Sequence, residues 1–425
     1  MKATLLVKQF EERKYDEKIL DLYEDKQLIE YQNNRYIQAI NKFVELYGDL
    51  DVEIYSVPGR SEVGGNHTDH QHGRVLASSI NLDAIAVVSK VDDVVKVVSD
   101  AFDIKEISIH DLEKKDEEKS TSESLIRGVL FALKQEGANI GGFKAYITSD
   151  VLIGAGLSSS AAFEVMIGTI INGLYNSMEI DRVTLAKIGQ YAENVYFEKP
   201  CGLMDQCACS VGSLISIDFN DPTKPIVEKM EVDFSQFNHS LCIVDTKGSH
   251  ADLTDEYAAV PSEMKQVAAL FGKNFLRDVN VEEFYSKVSE VREQVSDRAV
   301  LRAIHFFEEN ERVTRLVKAL NALDFDTFKK EITNSGNSSY KYLQNVFSTK
   351  DVHNQSVSVA LAMSECILKD RGVCRVHGGG FAGTIQAFVE NDFVQTYKEK
   401  IEKVFGKDSC HVLKIRKYGG VKVVE

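Results

Sequence analysis

Apolar positions recur along this chain in two periods, and the switches between them mark its elements. Phe143-Lys144-Ala145-Tyr146-Ile147-Thr148 alternates as a strand, and Ala84-Ile85-Ala86-Val87-Val88 is strand-like as well. Helical spacing runs from Lys26 to Leu46, Ala161 to Tyr175, Leu185 to Phe197, Glu263 to Phe271, Glu282 to Val295, Ala299 to Ala322 and Val352 to Lys369. From Phe388 onward strand and helix are mixed. No repeat or low-complexity tract is present. Asn220-Asp221-Pro222-Thr223-Lys224-Pro225 holds two of only five prolines and reads as a linker, dividing the chain into 1–224 and 225–425 to within tens of residues.

Composition narrows the class. With 425 residues, 44% of them hydrophobic, the chain can support more than one core, and its longest apolar runs are too short to cross a bilayer. Met1 to Val7 meets Lys8 and the charged run Glu11-Glu12-Arg13-Lys14 too soon for a signal peptide, so a cytoplasmic enzyme without membrane contact is expected. Cys207-Ala208-Cys209 lacks metal-ligand spacing, and seven cysteines in a chain of this size read as reduced thiols. A net charge of −15 opposes a nucleic-acid surface, and Lys114 to Ser120 reads as a solvated loop. No obligate protein partner is evident.

The densest chemistry lies between the strand at Phe143–Thr148 and the helix from Ala161. Gly154-Ala155-Gly156-Leu157-Ser158-Ser159-Ser160-Ala161-Ala162 joins glycines, which let backbone approach an anion, to hydroxyls and the free N–H groups of a first helical turn. A nucleotide phosphate suits it. An N-capping serine after an ordinary turn would use only one glycine and one serine. No Gly-x-x-x-x-Gly-Lys-Ser/Thr, helix-opening Gly-x-Gly-x-x-Gly or protein-kinase motif set occurs.

A second polar cluster spans Pro58 to Gly73. Arg60 offers a planar fork to a carboxylate or phosphate, while Asn66, His67 and Asp69 mix donors and acceptors as sugar hydroxyls require. A solvated turn is the plain alternative. A metal site is the sharper one, because His70-Gln71-His72 with His67 and Asp69 resembles the opening of many metal-dependent hydrolases, although no second His/Asp cluster follows. In Cys201-Gly202-Leu203-Met204-Asp205-Gln206, Asp205 can orient or deprotonate a hydroxyl, or merely cap a turn.

Together with Arg375-Val376-His377-Gly378-Gly379-Gly380-Phe381-Ala382-Gly383-Thr384, these segments resemble a galactokinase of the GHMP sugar and metabolite kinase superfamily, from about Phe43 to the C-terminus. The resemblance implies an α+β pair of domains with the active site between them, and an ATP-dependent sugar 1-kinase requiring Mg²⁺. It implies that Gly154, Ala155, Gly156, Leu157, Ser158, Ser159 and Ser160 hold ATP phosphates, that Ser160 and Glu193 hold the metal, with Glu164 as the alternative carboxylate, and that Asp205 is the base with Arg60 stabilising the transition state. Asn66, His67, Thr68, Asp69, Gly202 and Tyr257 fall on sugar-contact positions. Asn66 replaces the family's usual glutamate at the sugar's 6-hydroxyl, Glu62 replaces an asparagine, His70 a tyrosine and Ala77 a proline. Asn66 is therefore expected to govern discrimination at the sixth carbon, leaving galacturonate, L-arabinose and N-acetylgalactosamine open beside galactose. A non-catalytic sugar sensor and the metal hydrolase are the rival classes.

Overall fold

The computed structural model describes residues 1–100, 104–152, 156–230, 232–248 and 253–424. Its strands are β1 (Glu53–Gly64), β2 (Arg74–Val91), β3 (Val94–Ser99), β4 (Ile107–Ser108), β5 (Gly142–Ser149), β6 (Leu214–Asp218), β7 (Ile226–Met230), β8 (His239–Asp245), β9 (Gly372–Val376), β10 (Thr384–Glu390), β11 (Cys410–Leu413) and β12 (Val421–Val424). They form an eight-stranded sheet, ordered β12-β1-β2-β5-β3-β4 with β6 and β7 branching from β2, and a four-stranded sheet ordered β11-β8-β10-β9. Only β3 and β5 pair in parallel among the described strands.

Alternation along β2 builds the first three layers. Ala84, Ala86 and Val88 face a core with helices Ser122–Gln135 and Ser159–Asn176, where Ile126, Val129, Val165 and Ile167 are buried. Ile85 and Val87 face the opposite way, onto Leu6, Phe10, Leu22, Tyr36, Ile40 and Phe43 of three N-terminal helices, Ala3–Glu11, Asp16–Tyr23 and Ile29–Tyr47. The first two of these helices carried too few turns to register as sequence periodicity. Buried Asp83 ties the layers: it accepts from Arg35 at 2.6 Å, Tyr23 at 2.8 Å and Arg416 at 3.0 Å.

The linker assignment needs correction. Residues 226–230 pair with β6 and the C-terminal β12 returns to β1, so a cut at 224/225 passes through the β6–β7 hairpin of the first sheet. Three helices also differ from their periodicity. The helix expected from Glu263 starts at Thr254 and runs through Pro261; that from Glu282 breaks at Lys287; and that from Leu185 gives way at Ala192 to a π-turn, Ala192–Phe197. No described helix is long and apolar enough to cross a membrane.

Candidate active site

Strand β1 carries Arg60 into a cleft closed by the end of the phosphate run. Gly59 permits this approach, since a Cβ there would lie 2.9 Å from the Leu157 carbonyl oxygen and 2.9 Å from a Val151 methyl. The Arg60 backbone N–H donates to that carbonyl at 3.2 Å, and its guanidinium Nη1 donates to the Gly156 carbonyl. The other face of the guanidinium forks onto Asp205, Nε to Oδ1 at 2.7 Å and Nη2 to Oδ2 at 2.8 Å. Asp205 lies in the first turn of helix Met204–Val211, where the helix dipole favours a carboxylate. Burial works to raise its pKa, but Arg60 and the Ser158 hydroxyl bond together outweigh that and leave it below the usual aspartate value. Burial likewise opposes the Arg60 charge, and Asp205 more than compensates.

Ser158 sits in the left-handed region (φ 57°) ahead of helix Ser159–Asn176, and its hydroxyl donates to Asp205 instead of capping that helix. The first-turn N–H groups thus have no side-chain cap, as an anion site requires. Two residues on, Ser160 Oγ donates to Glu193 Oε1 at 3.3 Å; Glu193 is buried on the π-turn, a distortion frequent at functional sites. Gln206 Nε2 bridges Glu193 Oε2 and Glu164 Oε2, each at 2.9 Å. Burial and the neighbouring Glu193 hold the Glu164 carboxyl well above the ordinary range, which disfavours the charged form that a hard cation prefers. Ser160 and Glu193 together present two hard oxygen donors beside the phosphate run, which suits Mg²⁺ completed by phosphate and water oxygens. Gly154 and Ala155 lie outside the described residues.

The glycine-rich turn after β9 closes the other wall. His377 meets Ser61 Oγ at 3.1 Å and Thr384 Oγ1 at 2.9 Å, and Tyr257 donates to the Gly380 carbonyl at 2.8 Å. His67, also left-handed (φ 59°), meets the Gly379 carbonyl through Nε2 at 3.0 Å. That contact makes Nε2 the donor and leaves buried Nδ1 as an acceptor without a partner. Asp69 packs against Gly202, where a Cβ would meet its Oδ2 at 2.4 Å.

Two sugar-contact expectations change. Asn66 is fully buried; its amide donates to Gly378 O at 2.7 Å and Glu62 Oε1 at 3.1 Å, and its oxygen accepts from Asn345 at 2.8 Å and Ser339 at 3.2 Å. The side chain is committed to the fold and has no capacity left for a sugar hydroxyl. Thr68 is fully buried as well, and its one hydroxyl proton is taken up inside the turn, where Gly65 O lies at 2.8 Å and Arg74 O at 2.5 Å. Glu62 is compensated by buried Arg375, whose Nη2 donates to Oε1 at 2.6 Å. The departures at Glu62 and Asn66 are thus one structural unit, which a position-by-position reading had taken as two. The histidine metal cluster does not assemble either: His72 stacks on Phe275 with ring centroids 3.6 Å apart, and no three described His, Cys, Asp or Glu side chains form a metal-holding group.

Sequence reading missed a cavity of about 670 Å³ that reaches Ser159 and is lined by Leu28, Tyr31, Leu82, Ile147, Leu152 and Phe163. Its size and apolar walls fit a nucleobase and ribose. Those side chains come from separate elements, so no local motif announces them. Lys199, 2.9 Å from Glu193 Oε1, was also missed, although it stands two residues before Cys201 in the segment leading to Asp205.

Comparison with known proteins agrees with this geometry. Residues 124–213 match the GHMP kinases N terminal domain, and residues 41–90 match the galactokinase galactose-binding signature. A galactokinase of Streptomyces coelicolor is 30% identical over 372 residues, covering 86% of this chain and 91% of that protein. One from Clostridium tetani is 28% identical over 394 residues, covering 89% and 95%. The crystal structure of Lactococcus lactis galactokinase complexed with galactose superposes with a TM-score of 0.75 at 25% identity, over 90% of this chain and 98% of that one. The chain belongs to the galactokinase family of the GHMP kinases and, with that family, is a phosphotransferase that uses ATP to phosphorylate a sugar hydroxyl.

Proposed function

We propose that the protein transfers the γ-phosphoryl group of ATP to the anomeric hydroxyl of galactose. The Arg60–Asp205 fork, joined by Ser158 at the end of the phosphate run, is the observation that carries this reading. Asp205 aligns the sugar hydroxyl and takes its proton as the O1–phosphorus bond forms and the bond to the ADP oxygen breaks. Arg60 weakens Asp205 as a base, yet it stabilises charge on the moving phosphoryl group, and a loose transition state needs positioning more than a strong base. Ser160 and Glu193 would hold Mg²⁺, which would supply neutralisation of the phosphate charge. The cavity at Tyr31 and Leu152 takes the nucleoside.

Sugar recognition falls to His67, Asp69 and Tyr257, with Gly202 admitting Asp69. The lone acceptor His67 Nδ1 suits a donating sugar hydroxyl, whereas Asn66 and Thr68 shape the turn. The reaction is placed in the cytoplasm.

A coupled ADP-release assay with galactose, galacturonate, L-arabinose and N-acetylgalactosamine tests this. The highest kcat/KM is expected with galactose. Sugar binding without ADP release from any of them would make the protein a sensor, and metal-dependent hydrolysis without ATP would overturn the kinase reading.

A further inference from the structure

Lys199 is the cation of the catalytic cluster that phosphoryl transfer, as described, leaves without a role. It follows Glu198, which is left-handed (φ 64°) and is held by ion pairs from both Lys114 and Lys119. The run expected to be a solvated loop therefore anchors the turn that presents Lys199, whose own N–H donates to the Glu193 carbonyl at 3.1 Å. Its ammonium is 2.9 Å from Glu193 Oε1, the same oxygen that accepts from Ser160, while Gln206 occupies Oε2.

This is the carboxylate oxygen through which Ser160 and Glu193 would share a metal. A nearly buried carboxylate needs a counter-charge, and Lys199 supplies it. The lysine side chain is 60% exposed against 3% for that of Glu193, so its stem is free to swing while the carboxylate is not. Two cations on one oxygen repel, so metal binding frees the ammonium. Beyond Glu193, the Asp205 carboxylate also acts on the ammonium electrostatically.

We propose that Lys199 is an exchangeable counter-ion and a catalytic residue: it neutralises Glu193 until Mg²⁺ binds with the nucleotide, then moves onto the transferring phosphoryl group. It stabilises charge there without forming or breaking a bond. The proposal rests on the phosphoryl-transfer reading of the site.

Lys199→Met keeps the stem and removes the charge, and Lys199→Arg restores a charge. Mn²⁺ titrations followed by electron paramagnetic resonance, with a non-hydrolysable ATP analogue held saturating, read the exchange without turnover. Lys199→Met is expected to lower the half-saturating Mn²⁺ severalfold, because a competing cation is gone, and to lower kcat about tenfold or more with the galactose KM nearly unchanged. Lys199→Arg should recover part of kcat. Unchanged or weaker Mn²⁺ binding overturns the exchange, and a wild-type kcat in Lys199→Met overturns the catalytic role. If wild-type protein releases no ADP with any sugar, the kinase reading fails on its own, and the Mn²⁺ titration still judges the exchange.

Discussion

Replacing Asp205 by Asn separates catalysis from structure, because the side chain keeps its shape and loses its charge. The carboxylate receives three donors, two N–H groups of Arg60 at 2.7 and 2.8 Å and the Ser158 hydroxyl. An amide retains one accepting oxygen and turns an NH₂ toward a donor. Loss of a general base lowers turnover by about 10² to 10⁴, which is roughly 2.7 to 5.4 kcal/mol of barrier. Arg60 already depresses the proton affinity of Asp205, so the lower end, about 10², is expected. Breaking a buried pair by removing one partner costs about 3–5 kcal/mol, but the Asp205 side chain is 30% exposed, so about 1–3 kcal/mol of stability is the fair figure here. The assay is kcat by coupled ADP release at saturating sugar and MgATP, with calorimetric binding of a non-hydrolysable ATP analogue and thermal melting alongside. The expected variant melts a little early, binds nucleotide normally and turns over slowly. Near-wild-type kcat in a folded variant refutes the catalytic assignment; a kcat that recovers when melting is restored by a compensating Arg60→Met would show that Asp205 serves only to neutralise Arg60.

Asn66→Glu should destabilise the protein by about 2–4 kcal/mol, since it adds a methylene and a second carboxylate beside Glu62 and loses the donor to Gly378; melting and kcat/KM should fall alike for galactose and L-arabinose, and a change confined to C6 discrimination with unaltered melting would return Asn66 to the sugar site. Glu193→Gln should raise the half-saturating Mg²⁺ severalfold with little change in galactose KM, because an amide serves a hard cation poorly; an unchanged magnesium curve, measured at fixed ATP, removes Glu193 from the metal site. Burial and the charge of His70 lower the His67 pKa from 6.5 to about 4, so between those values the unfolded chain binds more protons than the folded one and stability falls as pH drops from 6.5 toward 4. Urea midpoints across that range should slope less in His67→Gln than in wild type, and an unaltered slope would contradict the burial of a neutral His67.

The parts legible beforehand are those whose signal is local. The strand at Phe143–Thr148 and the helix from Ala161 to Tyr175 appear nearly as read, at Gly142–Ser149 and Ser159–Asn176, because alternation and helical spacing each report one buried face. The phosphate run stood out in the same way, as glycines and hydroxyls between a strand and a helix, whereas the roles expected of Arg60 and Asp205 came from the resemblance of the motifs that hold them. The first two N-terminal helices and the Glu282–Val295 break escaped notice because short helices take much of their stability from tertiary packing, and that packing is invisible in a window of a dozen residues.

Residue types and their spacing thus marked an anion site, since glycines and hydroxyls at a helix start suit a phosphate, and the resemblance carried by the motifs gave the reaction class. Tertiary structure alone decided which side chains are available for it. Asn66 and Thr68 sit beside His67 and Asp69 in the sequence, yet the Asn66 amide is consumed by Gly378 and Asn345 and Thr68 is buried with its proton held by the turn, while His67 keeps an open acceptor. Glu164 and Glu193 are chemically alike and both buried, yet Gln206 lies between them and Lys199 pairs with Glu193, while burial and Glu193 push the Glu164 pKa up. A hydrogen-bonding group can be spent once, and whether it is spent inside the protein or on a ligand depends on neighbours up to hundreds of residues distant in the chain, as Asn66 and Asn345 are.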